Sequence, residues 1–366
     1  MLPNLPLAGV RVLSLAEQYP GPYATLLLAD LGADVILVER PDSGDPTRRH
    51  PGLFASLGRN KRSVALDLKS PQDRARFLEL VDTADVVMEG FRPGVMERLG
   101  LDAQALRARK PALIYVSISS FGQTGPMAAV AGHDLSIQAV AGMVSVPPGR
   151  EETATLPVLP LADIASGMFA ALSVTSALAG RSRSGEGCNV DVSMLDAMVS
   201  WMTPFLVPGM NQLPVRPLPP EDPGYGLFAT ANGGQLTLSM AGEDHMWQAL
   251  CGILELDDLA MLSDAVRSER RAEIVPRLRE AIRGRPLDAL CEQLTAARIA
   301  FAPVQRGDDV LNHPQVQARG LVVEHEGQRY IRQPLLFNGQ ASGVSRGVPA
   351  LGEHTAQVLG ELDRPG

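Results

Sequence analysis

The sequence predicts an α/β protein whose larger lobe is a doubly wound parallel sheet. Three observations carry this expectation. Short aliphatic runs alternate with helical patterns between Val10 and Ile118. Proline or glycine punctuates the joins, as at Pro20-Gly21-Pro22 and Gly32. A chain of 366 residues also exceeds the usual size of one hydrophobic core, so a second lobe is expected.

The elements follow in order. Val10 to Leu15 reads as a strand, broken by Pro20-Gly21-Pro22 before a helical pattern from Tyr23 to Leu31, which Gly32 caps. A second strand, Asp34 to Val38, completes a βαβ unit. Further strands are read at Ser63 to Leu66, Val86 to Met88 and Leu113 to Ile118, with helices at Asp73 to Thr83 and Ala103 to Ala108. This alternation is the signature of helices covering a parallel sheet. Small and apolar residues surround the axis from Ile164 to Leu178, predicting a helix buried on most faces, and Asn189 to Ser193 reads as a strand.

Six prolines between Val207 and Gly224 interrupt any period, which predicts a linker over 207–224. Beyond it, Phe228 to Met240 reads as a hairpin turning at Asn232-Gly233-Gly234, followed by helical patterns to about Ala297. Asp308 to Gln317 is read as helical and Leu321 to Phe337 as paired strands.

Composition narrows the function classes. Hydrophobic residues make up 45% and charged residues 20%, as in an ordinary globular enzyme. The apolar stretch from Gly167 to Ala179 falls short of a bilayer span, and Met1 to Leu7 lacks the basic start of a signal peptide, so a cytoplasmic protein without a membrane partner is expected. A net charge of -8 argues against nucleic acid but leaves room for a phosphorylated ligand held by a few local cations. Cys188, Cys251 and Cys291 form neither a disulfide framework nor a CxxC site, and the six histidines show no His-x-x-x-His spacing, so no metal is expected. The βαβ unit ending at Glu39 imitates a dinucleotide-binding fold but lacks G-x-G-x-x-G.

The residues that could carry chemistry are Gly132-His133-Asp134 and Asp163, within Leu161-Ala162-Asp163-Ile164-Ala165. An imidazole and a carboxylate can exchange a proton with a weakly acidic carbon, and a carboxylate can also attack an acyl group. Each alone is equally compatible with a structural role.

Around these residues the chain resembles the family III CoA-transferase superfamily, which includes 2-methylacyl-CoA racemases. The resemblance rests on Leu7-Ala8-Gly9-Val10-Arg11-Val12-Leu13, Gly32-Ala33-Asp34-Val35, Glu39-Arg40-Pro41 and Asn60-Lys61-Arg62-Ser63. It continues through Asp85-Val86-Val87, Arg92-Pro93-Gly94, Gly122-Gln123-Thr124-Gly125-Pro126, Gly185-Glu186-Gly187, Asp191-Val192-Ser193 and Gly352-Glu353-His354-Thr355. The resemblance implies an interlocked homodimer. It implies a large Rossmann-like domain from 1–206 and 322–366, and a smaller α+β domain over 225–321. Coenzyme A enters as part of an acyl-CoA substrate, with no permanently bound cofactor.

Site residues follow by position. Asp163 matches the family's catalytic aspartate, His133 the racemase histidine and Glu243 a racemase glutamate, with Asp134 orienting or tuning its neighbour. Arg40, Lys61 and Arg92 are placed near the nucleotide and phosphates of CoA, and the backbone around Leu66 to Leu68 along its channel. The match of His133, Asp163 and Glu243 ranks C2 racemisation first. CoA transfer through an anhydride at Asp163 is the alternative, because Ala162-Asp163-Ile164-Ala165-Ser166-Gly167 is closer to the transferases. Tyr19, where formyl-CoA transferases carry glutamine, disfavours oxalate-type transfer, with Gln18 one residue earlier.

Overall fold

The computed structural model describes residues 5–145, 158–214 and 221–363. It divides into two compact units, one running to Leu206 and resuming at Val316, the other spanning Val207–Gln315.

The first unit is built on six parallel strands: β1 (Arg11–Ser14), β2 (Asp34–Glu39), β3 (Lys61–Ala65), β4 (Val86–Glu89), β5 (Ile114–Ser119) and β6 (Asn189–Ser193). Their order in the sheet is β3-β2-β1-β4-β5-β6, that of doubly wound nucleotide-binding folds. Alternate residues of each strand serve opposite faces, because side chains switch sides at every position. Val12, Val35, Val86 and Val116 pack beneath Ala24 and Leu28 of α1 (Pro20–Asp30) and Ala170 and Val174 of a long helix at Leu161–Ser184. On the other face, Leu13, Ile36, Val87 and Tyr115 meet Phe77 and Leu80 of α2 (Pro71–Thr83) and Val358 of the C-terminal helix Thr355–Leu362. The chain end is stitched to β3. The N–H of Ala65 donates to Thr355 Oγ1 at 3.0 Å, and Arg62 pairs with Glu361 at 2.6 Å.

Two helices differ from the sequence reading. Pro20 does not delay α1: it occupies the first turn, where a fixed φ fits the helix and a missing N–H costs nothing. The Leu161–Ser184 helix (α4, following α3 at Asp134–Val140) is longer than expected and is buried along one face only. Ala162, Ala165, Ser166, Gly167, Ala170, Ala171 and Val174 are buried, while Met168 and Leu172 are 48% and 57% exposed. By length and composition alone α4 could cross a membrane, contrary to the reading of its apolar run as too short. Here it packs on α1 and on β5. At Gly167 the approach to α1 is tight, and a Cβ there would lie 2.8 Å from the Pro20 carbonyl oxygen and 3.0 Å from Tyr23 Cδ1.

The second unit contains β7 (Tyr225–Ala229), β8 (Gln235–Ser239) and β9 (Phe301–Pro303), all antiparallel. Gly233, at φ 76°, takes the left-handed turn of the hairpin that Asn232-Gly233-Gly234 foreshadows. Helices at Asp244–Leu254, Arg271–Arg283 and Leu287–Ala296 enclose a core around Trp247, Leu278 and Leu294. The expected linker is not wholly irregular, since Thr203–Met210 is helical and carries Pro208 within it. The 215–220 part of the expected linker lies outside the described residues. The helix expected at Asp308 to Gln317 is two pieces, a 3-10 segment Gly307–Asn312 and Pro314–Ala318. Pro314 forces His313 into an extended conformation, ψ 129°, and ends the first piece.

Candidate active site

Reversal of strand order between β1 and β4 leaves a crevice beyond their carboxyl ends, where α/β folds bind ligands. A cavity of about 280 Å³ lies among the loops that leave these strands. Glu17 and Gln18 follow β1, Gly90 to Pro93 follow β4, and Ser119 and Ser120 end β5. Gly132, His133 and Asp163 complete the wall. The structure therefore gathers His133, Asp163 and Arg92 around one space.

Asp163 sits in the first turn of α4. Burial raises its carboxyl pKa to about 7, and the charge of Asp134 adds to the rise. The cause is direct: an ion loses hydration as it is enclosed, and a second negative charge nearby disfavours it further. Asp134 is held against the same helix. Its Oδ1 accepts the backbone N–H groups of Ala162 at 2.8 Å and Asp163 at 3.3 Å, and its Oδ2 accepts Gln138 Nε2 at 2.6 Å. Asp134 therefore caps and tunes the Asp163 turn, a role that the sequence reading did not assign to it. His133 immediately precedes α3 as its N-cap and is exposed at the cavity.

Tyr19 precedes α1 as its N-cap and Tyr23 lies at the end of the first turn, their rings 6.0 Å apart. Burial raises both phenols above their ordinary value, and the charge of Asp163 contributes at Tyr19. Glu17 is likewise raised by burial, opposed by Arg40 at 3.5 Å.

Arg40 is half exposed beside Glu17 and thus near the cavity mouth. Lys61 is elsewhere. Its Nζ is buried, donating to the Pro22 carbonyl at 2.7 Å and to Thr25 Oγ1 at 2.8 Å, and burial lowers its pKa to about 7. It braces α1, its Nζ turned to these two oxygens and away from solvent. Leu66 is buried in the sheet core and Leu68 packs partly against it. Glu243 lies in the second unit, where its Oε2 accepts the N–H of Ala241 at 2.6 Å across the left-handed Gly242. Sequence reasoning missed Glu17, Gln18 and Ser119 as wall residues. The position of each at the carboxyl end of β1 or β5 was the available signal. Among the described residues no cluster of three or more His, Cys, Asp or Glu side chains is arranged to hold a metal ion.

The arrangement offers a poorly hydrated carboxyl, an imidazole and a guanidinium within one crevice. Comparisons with known proteins agree with acyl-CoA chemistry. Residues 7–355 match the model of CoA-transferase family III. A succinate–glutarate CoA-transferase of Agrobacterium fabrum is 34% identical, over 98% of this chain and 96% of that protein. The human alpha-methylacyl-CoA racemase is 31% identical, over 97% of this chain and 93% of that protein. A CAIB/BAIF family protein from Brucella suis superposes with a TM-score of 0.87 at 30% identity, covering 98% of this chain and all (100%) of that one. A matching family model over nearly the whole chain, with relatives of this identity and coverage, places the fold and the enzyme class together, and the chain belongs to CoA-transferase family III.

Proposed function

We propose that the protein moves coenzyme A between carboxylic acids, with Asp163 as nucleophile. This reverses the ranking that the sequence suggested, in which racemisation came first. The similarity to proteins named as CoA-transferases supports the change. The observation that carries the reading is Asp163 itself, a carboxyl of pKa about 7 on a helix turn facing the cavity at the sheet's switch point.

In this reading the Asp163 carboxylate attacks the thioester carbonyl and expels CoA as thiolate, leaving a mixed anhydride. The thiolate then attacks the Asp163 carbonyl, which releases the donor acid and forms an aspartyl-CoA thioester. The acceptor carboxylate attacks that thioester, and the thiolate returns to the acyl carbon of the new anhydride. Low hydration of Asp163 keeps the carboxylate reactive and limits hydrolysis of the anhydride. Arg92 is the cation on hand for a CoA phosphate, because its planar fork suits bidentate contact. The same reading carries a cytoplasmic homodimer without a permanently bound cofactor. The exposed Met168 and Leu172 face of α4 supports the association.

The test is isotopic. With an acceptor acid labelled with oxygen-18 in its carboxylate, one labelled oxygen should remain on the peptide that contains Asp163. A turning-over enzyme whose Asp163 peptide stays unlabelled would sink the anhydride route. A second reading, C2 racemisation, is favoured by one observation, that His133 and Asp163 share the cavity. Alpha-deuterium uptake from deuterated water into a 2-methylacyl-CoA, lost in His133→Ala, would decide for it.

A further inference from the structure

Gln18 has a φ of 70°, in the left-handed region that its Cβ disfavours, and it lines the Asp163 cavity. Such strain persists where the surroundings over-determine it, and it concentrates at functional sites. The surroundings are a chain of hydrogen bonds from the end of β2. Glu39 is clamped by Arg48 at 2.7 Å and by Ser63 Oγ at 2.5 Å, and it accepts the N–H of Asp45 at 2.9 Å. Asp45, 6% exposed, accepts the N–H of Gln18 at 3.2 Å on Oδ2. Its Oδ1 takes Thr47 N at 2.7 Å and Thr47 Oγ1 at 2.6 Å, and lies 3.4 Å from the Gln18 N–H.

We infer that Asp45 is a positioning residue for the acyl-CoA reaction: its buried carboxylate holds Gln18 in the left-handed turn and so presents the Gln18 carboxamide to substrate in the Asp163 cavity. Exposed at the cavity, that neutral carboxamide can donate to an acyl oxygen without competing for the thioester carbon. The inference rests on the reading of this cavity as the place where the thioester reacts.

A double-mutant cycle of Asp45→Asn and Gln18→Gly tests it. In Asp45→Asn the remaining oxygen stays with its two Thr47 donors, and the new amide turns a donor toward the Gln18 N–H. The shorter, 3.2 Å half of the clamp is lost with little change of shape, and only the 3.4 Å contact to Oδ1 is left. Each single substitution should lower kcat by about 10- to 100-fold, with a smaller change in KM for the CoA donor. The double variant should be no slower than Gln18→Gly alone, because Asp45 has nothing left to position. Losses that multiply, or wild-type kcat in either single variant, would overturn the inference; a lower Tm with unchanged kcat would leave Asp45 a merely structural cap of the Pro46–Arg49 segment and overturn it equally. The cycle is read on whichever turnover the wild type shows, CoA transfer or alpha-proton exchange, and on acyl-CoA affinity by calorimetry if it shows neither. Absence of transfer in the wild type therefore retires the transferase reading alone.

Discussion

The Asp134 carboxylate accepts the backbone N–H of Asp163 at 3.3 Å, while its charge helps to raise the pKa of the Asp163 side chain. One group thus fixes the turn that carries the Asp163 carboxyl and makes that carboxyl harder to ionise. The first effect needs an acceptor atom, the second a charge, and an amide separates them.

Asp134→Asn keeps an oxygen for the Ala162 N–H and removes the charge. The Asp163 pKa should fall below about 7 without reaching the ordinary carboxylate value, because burial is the larger cause. The acidic limb of the pH–rate profile should move to lower pH by a fraction of a unit to about one unit. A limb that stays in place would mean that the charge of Asp134 is screened from Asp163.

Asp163 also sets a pH dependence of stability. Its folded pKa is raised to about 7 from 3.8, so the native state binds the proton more tightly than the unfolded chain. Between those values stability falls as pH rises, and above about 7 the full cost of the buried charge is present. Asp163→Asn should therefore raise Tm by several degrees at pH 8 and by little at pH 4. Melting curves at the two pH values check it, and an equal shift at both would show that burial does not penalise this carboxylate.

Lys61 gives the opposite slope. Its folded pKa is lowered to about 7 from 10.5, so the unfolded chain holds the proton more tightly and stability should rise with pH across that window. Lys61→Met should abolish this rise. Since the ammonium is spent on Pro22 and Thr25, CoA affinity should change by less than about threefold, whereas Arg92→Ala, which removes a cavity guanidinium, should cost about tenfold or more. Calorimetric titration with CoA distinguishes the two, and equal losses would return Lys61 to the binding site.

These residues show what was legible in the chain. Strand positions could be read because alternation and glycine breaks are local: Asn189–Ser193 forms the strand expected of it, and β1, β2, β4 and β5 lie within a residue or two of their expected bounds. Side-chain direction could not be read, because it depends on the sheet partner. Lys61 belongs to the same Asn60-Lys61-Arg62-Ser63 motif whichever way its ammonium points, and register with β2 turns it toward α1. The exposed face of α4 was illegible for a related reason. Apolar residues all round a helix show that it can be buried and leave open what covers each face. His133, Asp163 and Arg92 converge because Arg92 follows β4, His133 ends the segment from β5 to α3 and Asp163 opens α4 near one switch point, a relation of strand order that spacing along the chain does not encode.

Gly167 couples packing to the site. A Cβ at this position would meet the Pro20 carbonyl oxygen at 2.8 Å and Tyr23 Cδ1 at 3.0 Å, and the first of these is backbone, which cannot swing aside. Alanine in a helix interior gains about 1 kcal/mol over glycine by propensity, whereas overpacking a tight crossing costs about 1–3 kcal/mol. The steric cost should win, so Gly167→Ala should be less stable by about 1 kcal/mol. The helices would part where Pro20 and Gly21 line one side of the cavity and Asp163, one turn before Gly167, lines another. A displacement of this kind should lower kcat by about tenfold or more, beyond what the loss of stability explains at 25 °C. Chemical denaturation together with turnover at saturating substrate checks both parts. A more stable Gly167→Ala with full turnover would show that the α1–α4 crossing has room to spare and does not set the position of Asp163.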